Sequence, residues 1–128
     1  MKEKAIRVLK VEPHKMPEVV VLENTLQALQ EAVSIGADYV GLIEILSLDE
    51  KTCILCNEEG KLNGLEANRR LGSDVLCGVF YVTGQDRKGN LTSLTDEAIQ
   101  QYAERFLLPE DISQEEVERS LIVQFFSF

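Results

Sequence analysis

The sequence predicts an α+β fold: one domain built on a mainly antiparallel sheet, with two or three helices packed to one side of it. Three observations predict it. β-prone segments rich in valine, isoleucine and leucine recur between clusters of turn-forming residues. Two other stretches carry apolar residues at helical spacing behind a capping residue. The chain, 128 residues with 45% hydrophobic and 27% charged content, has the composition of one globular domain able to bury about two-thirds of its unfolded surface.

Taken in order, AIRVLKVEP (5–13) places Ile6, Val8 and Lys10 on one side and Arg7, Leu9 and Val11 on the other. It predicts a strand near 5–12, stopped by Pro13. PEVVVLE predicts a second strand near 17–22, and the intervening HKM suits a hairpin. Asn24 opens a helix over 25–35, with Gln27 at the capping-box position and Gly36 as its stop. Leu26, Leu29 and Val33 form its stripe, joined by Ala28 and Ala32. DYVGLIEILSLDEKTCILCN predicts strands at 39–47 and 51–57 around a turn at Asp49 and Glu50. DVLCGVFYVTG predicts one strand over 75–83, in the same sheet as the other four and under the same helix, followed by the turn cluster QDRKGN.

TDEAIQQYAERF predicts a second helix capped by Thr95, with Asp96 and Glu97 at its dipole-favoured end and a face of Ile99, Tyr102, Ala103 and Phe106. PEDI (109–112) breaks the chain, and Ser113 with Glu116 forms a capping box for a short helix to about Ser120. The end, LIVQFFSF, predicts a buried final strand with Leu121, Val123 and Phe125 on one face and Ile122, Phe126 and Phe128 on the other. It adds to the chain's own sheet or, alternatively, joins two copies through Leu121, Val123, Phe125, Phe126 and Phe128.

Composition excludes several functions. A net charge of −9 leaves no basic face for phosphates, so direct nucleic-acid binding is not expected. No apolar run approaches the ~20 residues that cross a bilayer, and the charged start MKEKAIRVLKVEP is no signal peptide. Three cysteines without an export signal point to reduced thiols in a cytoplasm. Acid concentrates between Thr95 and Arg119, where Asp96, Glu97, Glu104, Glu110, Asp111, Glu115, Glu116 and Glu118 face only Arg105 and Arg119, a local charge of −6.

No cofactor or metal is expected. Cys53, Cys56, Cys77 and His14 are zinc-ligand types, but residues three apart on a strand point to opposite faces and cannot share one ion. Gly84 and Gly89 have P-loop spacing without its lysine, its hydroxyl or a following helix, so the stretch is a hairpin turn. A lone histidine in a Pro-flanked turn supplies no base beside a nucleophile. Glu58 and Glu59 are adjacent and diverge on an extended chain, which does not make an acid/base couple.

The stretch NEEGKLNGLEANRRLGSD (57–74) remains. Asn57 and Gly60 are turn formers, and LNGLEANRRLG reads as one helical turn anchored by Leu62, Leu65 and Leu71, with Arg69 and Arg70 projecting outward. It is either a capped connector or a contact site for an anion, ligand or partner, the candidates being Asn57, Glu58, Asn68, Arg69, Arg70 and Asp74.

The succession of an N-terminal hairpin, LENTLQALQEAV, CNEEGKLNGLEANRRLGSDVLCGVFYVTG and TSLTDEAIQQYAERF resembles a family of small uncharacterised proteins, domains of unknown function carried by phages and integrative mobile elements. NEEGKLNGL and ANRRLGSD carry most of the likeness, which runs from about Ile6 to Phe106 and leaves 107–128 as an extension. The resemblance implies an intracellular accessory protein and brings no catalytic residue. The residues point to a non-enzymatic module whose partner is another protein, one version being that the acidic 95–119 segment imitates DNA phosphates. The alternative is a small-ligand or anion-binding protein, or an enzyme, centred on 57–74.

Overall fold

The structure is a computed structural model that describes residues 3–126, with side chains described through Leu121. In chain order the elements are β1 (Ala5–Val11), β2 (Glu18–Glu23), α1 (Leu26–Val33), β3 (Ile43–Asp49), β4 (Thr52–Asn57), β5 (Ala67–Leu71), β6 (Asp74–Cys77), β7 (Phe80–Gln85), β8 (Leu91–Thr92), α2 (Asp96–Arg105) and α3 (Gln114–Phe126). The main sheet runs β2-β1-β7-β4-β3, with β8 beside β7, and β5 pairs only with β6 in a separate hairpin. Every pairing among the described strands is antiparallel.

Period-two alternation builds two cores on the main sheet. Ile6 and Val8 of β1, Cys53 and Leu55 of β4, and Val79 and Tyr81 before and within β7 pack against Leu29 and Val33 of α1. On the other face Leu9, Val11, Ile54, Cys56, Phe80 and Val82 meet Tyr102 and Phe106 of the α2 segment. The helices therefore cover opposite faces, which corrects the expectation of helices on one side. The central strands β1, β4 and β7 are buried on both faces, and strand pattern alone does not say which helix takes which face.

Caps form where the sequence put Ser and Thr. The Thr95 hydroxyl accepts from the Ala98 amide at 3.1 Å, and that of Ser113 accepts from the Glu116 amide at 3.2 Å. At α1 the cap is Thr25, which accepts from the Ala28 amide, in place of the expected Asn24. Asn24 is instead drawn to the N-terminal segment, its side chain donating to the Glu3 carbonyl.

The predicted strand over 75–83 is two strands. Gly78 (φ 83°) turns the chain out of the β5–β6 hairpin and into the centre of the main sheet. Leu76 then reaches back to the α2-side core, while Val75 and Cys77 join Val117 of α3 in a third cluster with Leu65, Ala67 and Ile112. The predicted helical turn in LNGLEANRRLG is corrected too: the turns come earlier, with the Asn63 amide on the Glu59 carbonyl and the Leu65 amide on the Gly60 carbonyl, and 67–71 is strand β5.

The expected final strand is a helix through Phe126. Val117 and Ser120 are buried and Leu121 is half-buried, spaced i, i+3, i+4, so the hairpin selects helical over strand periodicity. Through Phe126 that geometry also replaces the strand alternation expected of 121–128, and residues 127 and 128 lie outside the described residues. The side chains of Val123, Phe125, Phe126 and Phe128, expected as dimer contacts, lie outside the described residues.

An alanine Cβ at Gly78 would sit 2.8 Å from Leu65 Cδ1 at a positive φ. Gly78→Ala is therefore expected to lower stability by about 1–3 kcal/mol, read as a shifted urea midpoint at unchanged slope.

Candidate functional site

β5 decides the fate of the predicted site residues. Arg69 lies opposite Leu76 and Arg70 opposite Val75, so strand alternation sends the two arginines to opposite faces of the hairpin. Arg69, expected to project outward, is 0% exposed. Its Nε donates to the Phe106 carbonyl at 3.2 Å, Nη2 to the same carbonyl at 2.9 Å and to the Lys15 carbonyl at 2.7 Å, and Nη1 to the Asn68 Oδ1 and carbonyl at 2.7 and 3.3 Å. All five guanidinium N–H groups are thus met. None of the ion pairs among the described residues involves it, and burial lowers its pKa from the ordinary value.

Asn68, also 0% exposed, donates from Nδ2 to the Val11 carbonyl at 2.8 Å and the Gly78 carbonyl at 2.9 Å. The pair binds four chain segments together. Its chemistry is spent inside the protein.

Arg70 faces α3. Its guanidinium grips Glu116 through Nε (2.6 Å) and Nη2 (2.8 Å) and Glu110 through Nη1 (2.8 Å), while its backbone amide donates to Glu110. This fork fastens the 107–113 connector and the start of α3 to the hairpin. The hydrogen bond from Arg70 holds the Glu116 carboxyl below its ordinary value. With Asp96 on Arg7 and Glu110 and Glu116 on Arg70, part of the acidic 95–119 segment is engaged within the fold.

The remaining candidates converge. Asn57, Glu58 and Asp74 line a cleft of about 430 Å³ between the β3–β4 end of the main sheet and the hairpin. Val75, Leu76 and Cys77 of β6, with Cys56, Leu62 and Leu121, supply its apolar surface, and Glu44, Glu59 and Lys61 complete its charged rim. The chain enters by an Asx turn, the Glu59 amide donating to Asn57 Oδ1 at 2.9 Å. Gly60 allows the wall to close: a Cβ there would lie 2.7 Å from the Cys77 carbonyl oxygen.

Lys61 pairs with Asp74 across the cleft. The Tyr39 hydroxyl lies 2.9 Å from both Glu59 and Asn63, braces the 58–66 segment and has its pKa raised, chiefly by Glu59. Sequence reading missed Glu44 and Lys61. Glu44 sits on a strand remote in sequence from Asp74, and Lys61 read as part of a solvated turn.

Thiol chemistry is held back in the cleft. Burial pushes Cys56 up to about 12, with Glu44 adding to it, and burial pushes Cys77 up to about 11. Both are protonated near neutral pH and lack thiolate character. Cys53 and Cys56 lie in the cores on opposite faces of the sheet, as strand geometry required. Among the described residues no group of three or more His, Cys, Asp or Glu side chains is placed to hold a metal ion. No helix among them is long and apolar enough to cross a membrane.

The model of a domain of unknown function, DUF3846, matches residues 6–107. The chain belongs to this family. No curated protein and no solved structure matches it. The DUF3846 match contains the Asn68–Arg69 pair and both β-walls of the cleft. Glu110, Glu116 and Leu121 lie beyond it, so α3 is fastened to the DUF3846 segment from outside.

Two outcomes follow from these contacts. Arg69→Ala leaves the Phe106, Lys15 and Asn68 carbonyls without their donor and opens a void, and is expected to cost about 3–5 kcal/mol by urea denaturation. For α3, the Glu116 carboxylate is depressed, so its support is full above the ordinary value of 4.5 and is lost as the pH falls below it. Protection of the α3 amides, with intrinsic exchange rates divided out, should fall over that range, and Glu116→Gln should reduce that loss, leaving the part carried by Glu110 on the same arginine.

Proposed function

We propose that this DUF3846 protein is a non-enzymatic protein-interaction module, an accessory protein of a phage or integrative mobile element, with the cleft as its contact surface. The make-up of the cleft carries the reading: an apolar floor under a rim bearing Glu44, Glu58, Glu59 and Asp74 against one cation, Lys61, already paired. Such a surface suits a cationic group on an apolar stem, as a partner's lysine or arginine presents. The protonated thiols and the internal use of Asn68 and Arg69 leave the cleft without an activated nucleophile or an anion-binding arginine. The mobile-element setting is supported by the likeness in NEEGKLNGL and ANRRLGSD.

One observation favours the small-ligand alternative: about 430 Å³ lies within the range of small-molecule sites. Affinity capture from host extract, followed by calorimetry with the purified captured protein, separates the two. Glu58→Lys is expected to weaken that complex at least about tenfold, or ~1.4 kcal/mol. An affinity unchanged by Glu58→Lys places the contact elsewhere and defeats the reading.

A further inference from the structure

We infer that the outer edge of β3 accepts an extended segment of a partner protein as an added strand, with a lysine or arginine of that segment set opposite Glu44 and its cation in the cleft. The inference rests on the interaction-module reading and adds which edge is used and what sequence fits it.

β3 ends the strand order, and among the described residues no strand pairs with its far side. The phase of its hydrogen bonds follows from one contact. The Glu58 amide donates to the Leu42 carbonyl at 3.0 Å, so positions 42, 44 and 46 bond inward toward β4. The amides and carbonyls of Ile43, Ile45 and Ser47 then point outward, unclaimed by the sheet. IEILSLD holds neither proline nor lysine, the residues that commonly blunt an edge. Ile45 is 51% exposed and the adjoining Leu42 62%. This is an open pairing edge with apolar side chains standing on it.

Side-chain direction links the edge to the cleft. Glu44 is paired with Cys56, and its carboxylate lies on the same face as that thiol, among the cleft residues. A residue opposite Glu44 on an added strand shares that face, roughly 5 Å away between Cβ atoms. A long basic side chain there runs its stem over the apolar floor and brings its charge among Glu44, Glu58 and Glu59. Two residues along, the position opposite half-buried Leu46 faces the α2-side core and calls for an apolar residue. The one between stands beside Ile45 on the other face and also favours a β-branched residue. The fitting segment is therefore extended, proline-free and basic-apolar-apolar.

Charge selects this occupant over a second copy of the chain. Antiparallel self-pairing at β3 would bring Glu44, Asp49 and Glu50 toward the same carboxylates of the copy, between two molecules of net charge −9 each. Glu44 thus disfavours self-association and favours a cation. A free amine would satisfy the rim and leave the edge amides as they were.

The probe is a short blocked peptide of alternating valine and threonine with one central lysine, followed by amide hydrogen exchange and ¹⁵N shifts. Exchange at Ile43, Ile45 and Ser47 is expected to slow at least tenfold, with shifts in the cleft. Glu44→Gln should weaken the lysine peptide several-fold, a central glutamate in the peptide should prevent binding, and N-methylation of its alternate amides should do the same without touching the protein. Cleft shifts with unchanged exchange at the three edge amides would overturn strand addition while leaving the interaction-module reading standing. Butylamine binding as tightly as the peptide would overturn both in favour of a small-ligand site. No response to the lysine peptide at millimolar concentration also defeats the proposal.

Discussion

A fully buried guanidinium that joins no ion pair among the described residues must find an acceptor for every N–H, and the fold depends on how Arg69 does so. Taking such a charge out of water costs several kcal/mol unless its hydrogen bonds are complete. Completion here requires the last carbonyl of the α2 segment at Phe106, the turn after β1 at Lys15, and both oxygens of Asn68. Asn68 in turn requires the end of β1 at Val11 and the β6–β7 junction at Gly78. The site at Phe106 is favourable beyond the hydrogen bonds, because a cation there meets the negative end of the α2 dipole. Shifting any one of these segments strands a donor in the interior, so they hold one another in place.

With the hairpin held at that angle, its two faces take separate tasks. Leu71 and Leu76 close the core beneath α2, while Val75 and Cys77 receive Val117 of α3. Arg70, one residue from Arg69 and on the opposite face, adds the Glu110 and Glu116 fork. The cleft is the seam left where the hairpin leans against β3 and β4. Its chemistry follows from that meeting: core-forming β6 side chains form the floor, and the solvated carboxylates of two separate turns and one edge strand form the rim.

The DUF3846 match stops at Leu107, just after the carbonyl that Arg69 caps. The segment it covers contains its own internal fastening, while α3 and its connector attach through an arginine that belongs to the matched segment. The cleft shares this division, with Leu121 the described contribution from beyond the match.

Much of the fold was legible locally. Alternation in AIRVLKV, the threonine ahead of DEAIQQYAERF and the turn chemistry of QDRKGN each act within a few residues, and each element forms where those signals put it. Period two alone set Cys53 and Cys56 on opposite faces. The sequence by itself thus determined strands β1, β2 and β4, helices α1 and α2 and the α+β class. Tertiary structure decided the rest: that Gly78 divides one β-prone run between two sheets, that 67–71 pairs as a strand despite leucines spaced like a helical turn, that LIVQFF continues a helix, and that Arg69 is interior. The physical reason is range. The carbonyls that make Arg69 tolerable in the core come from positions 37 and 54 residues away, and no pattern within ANRRLG announces them.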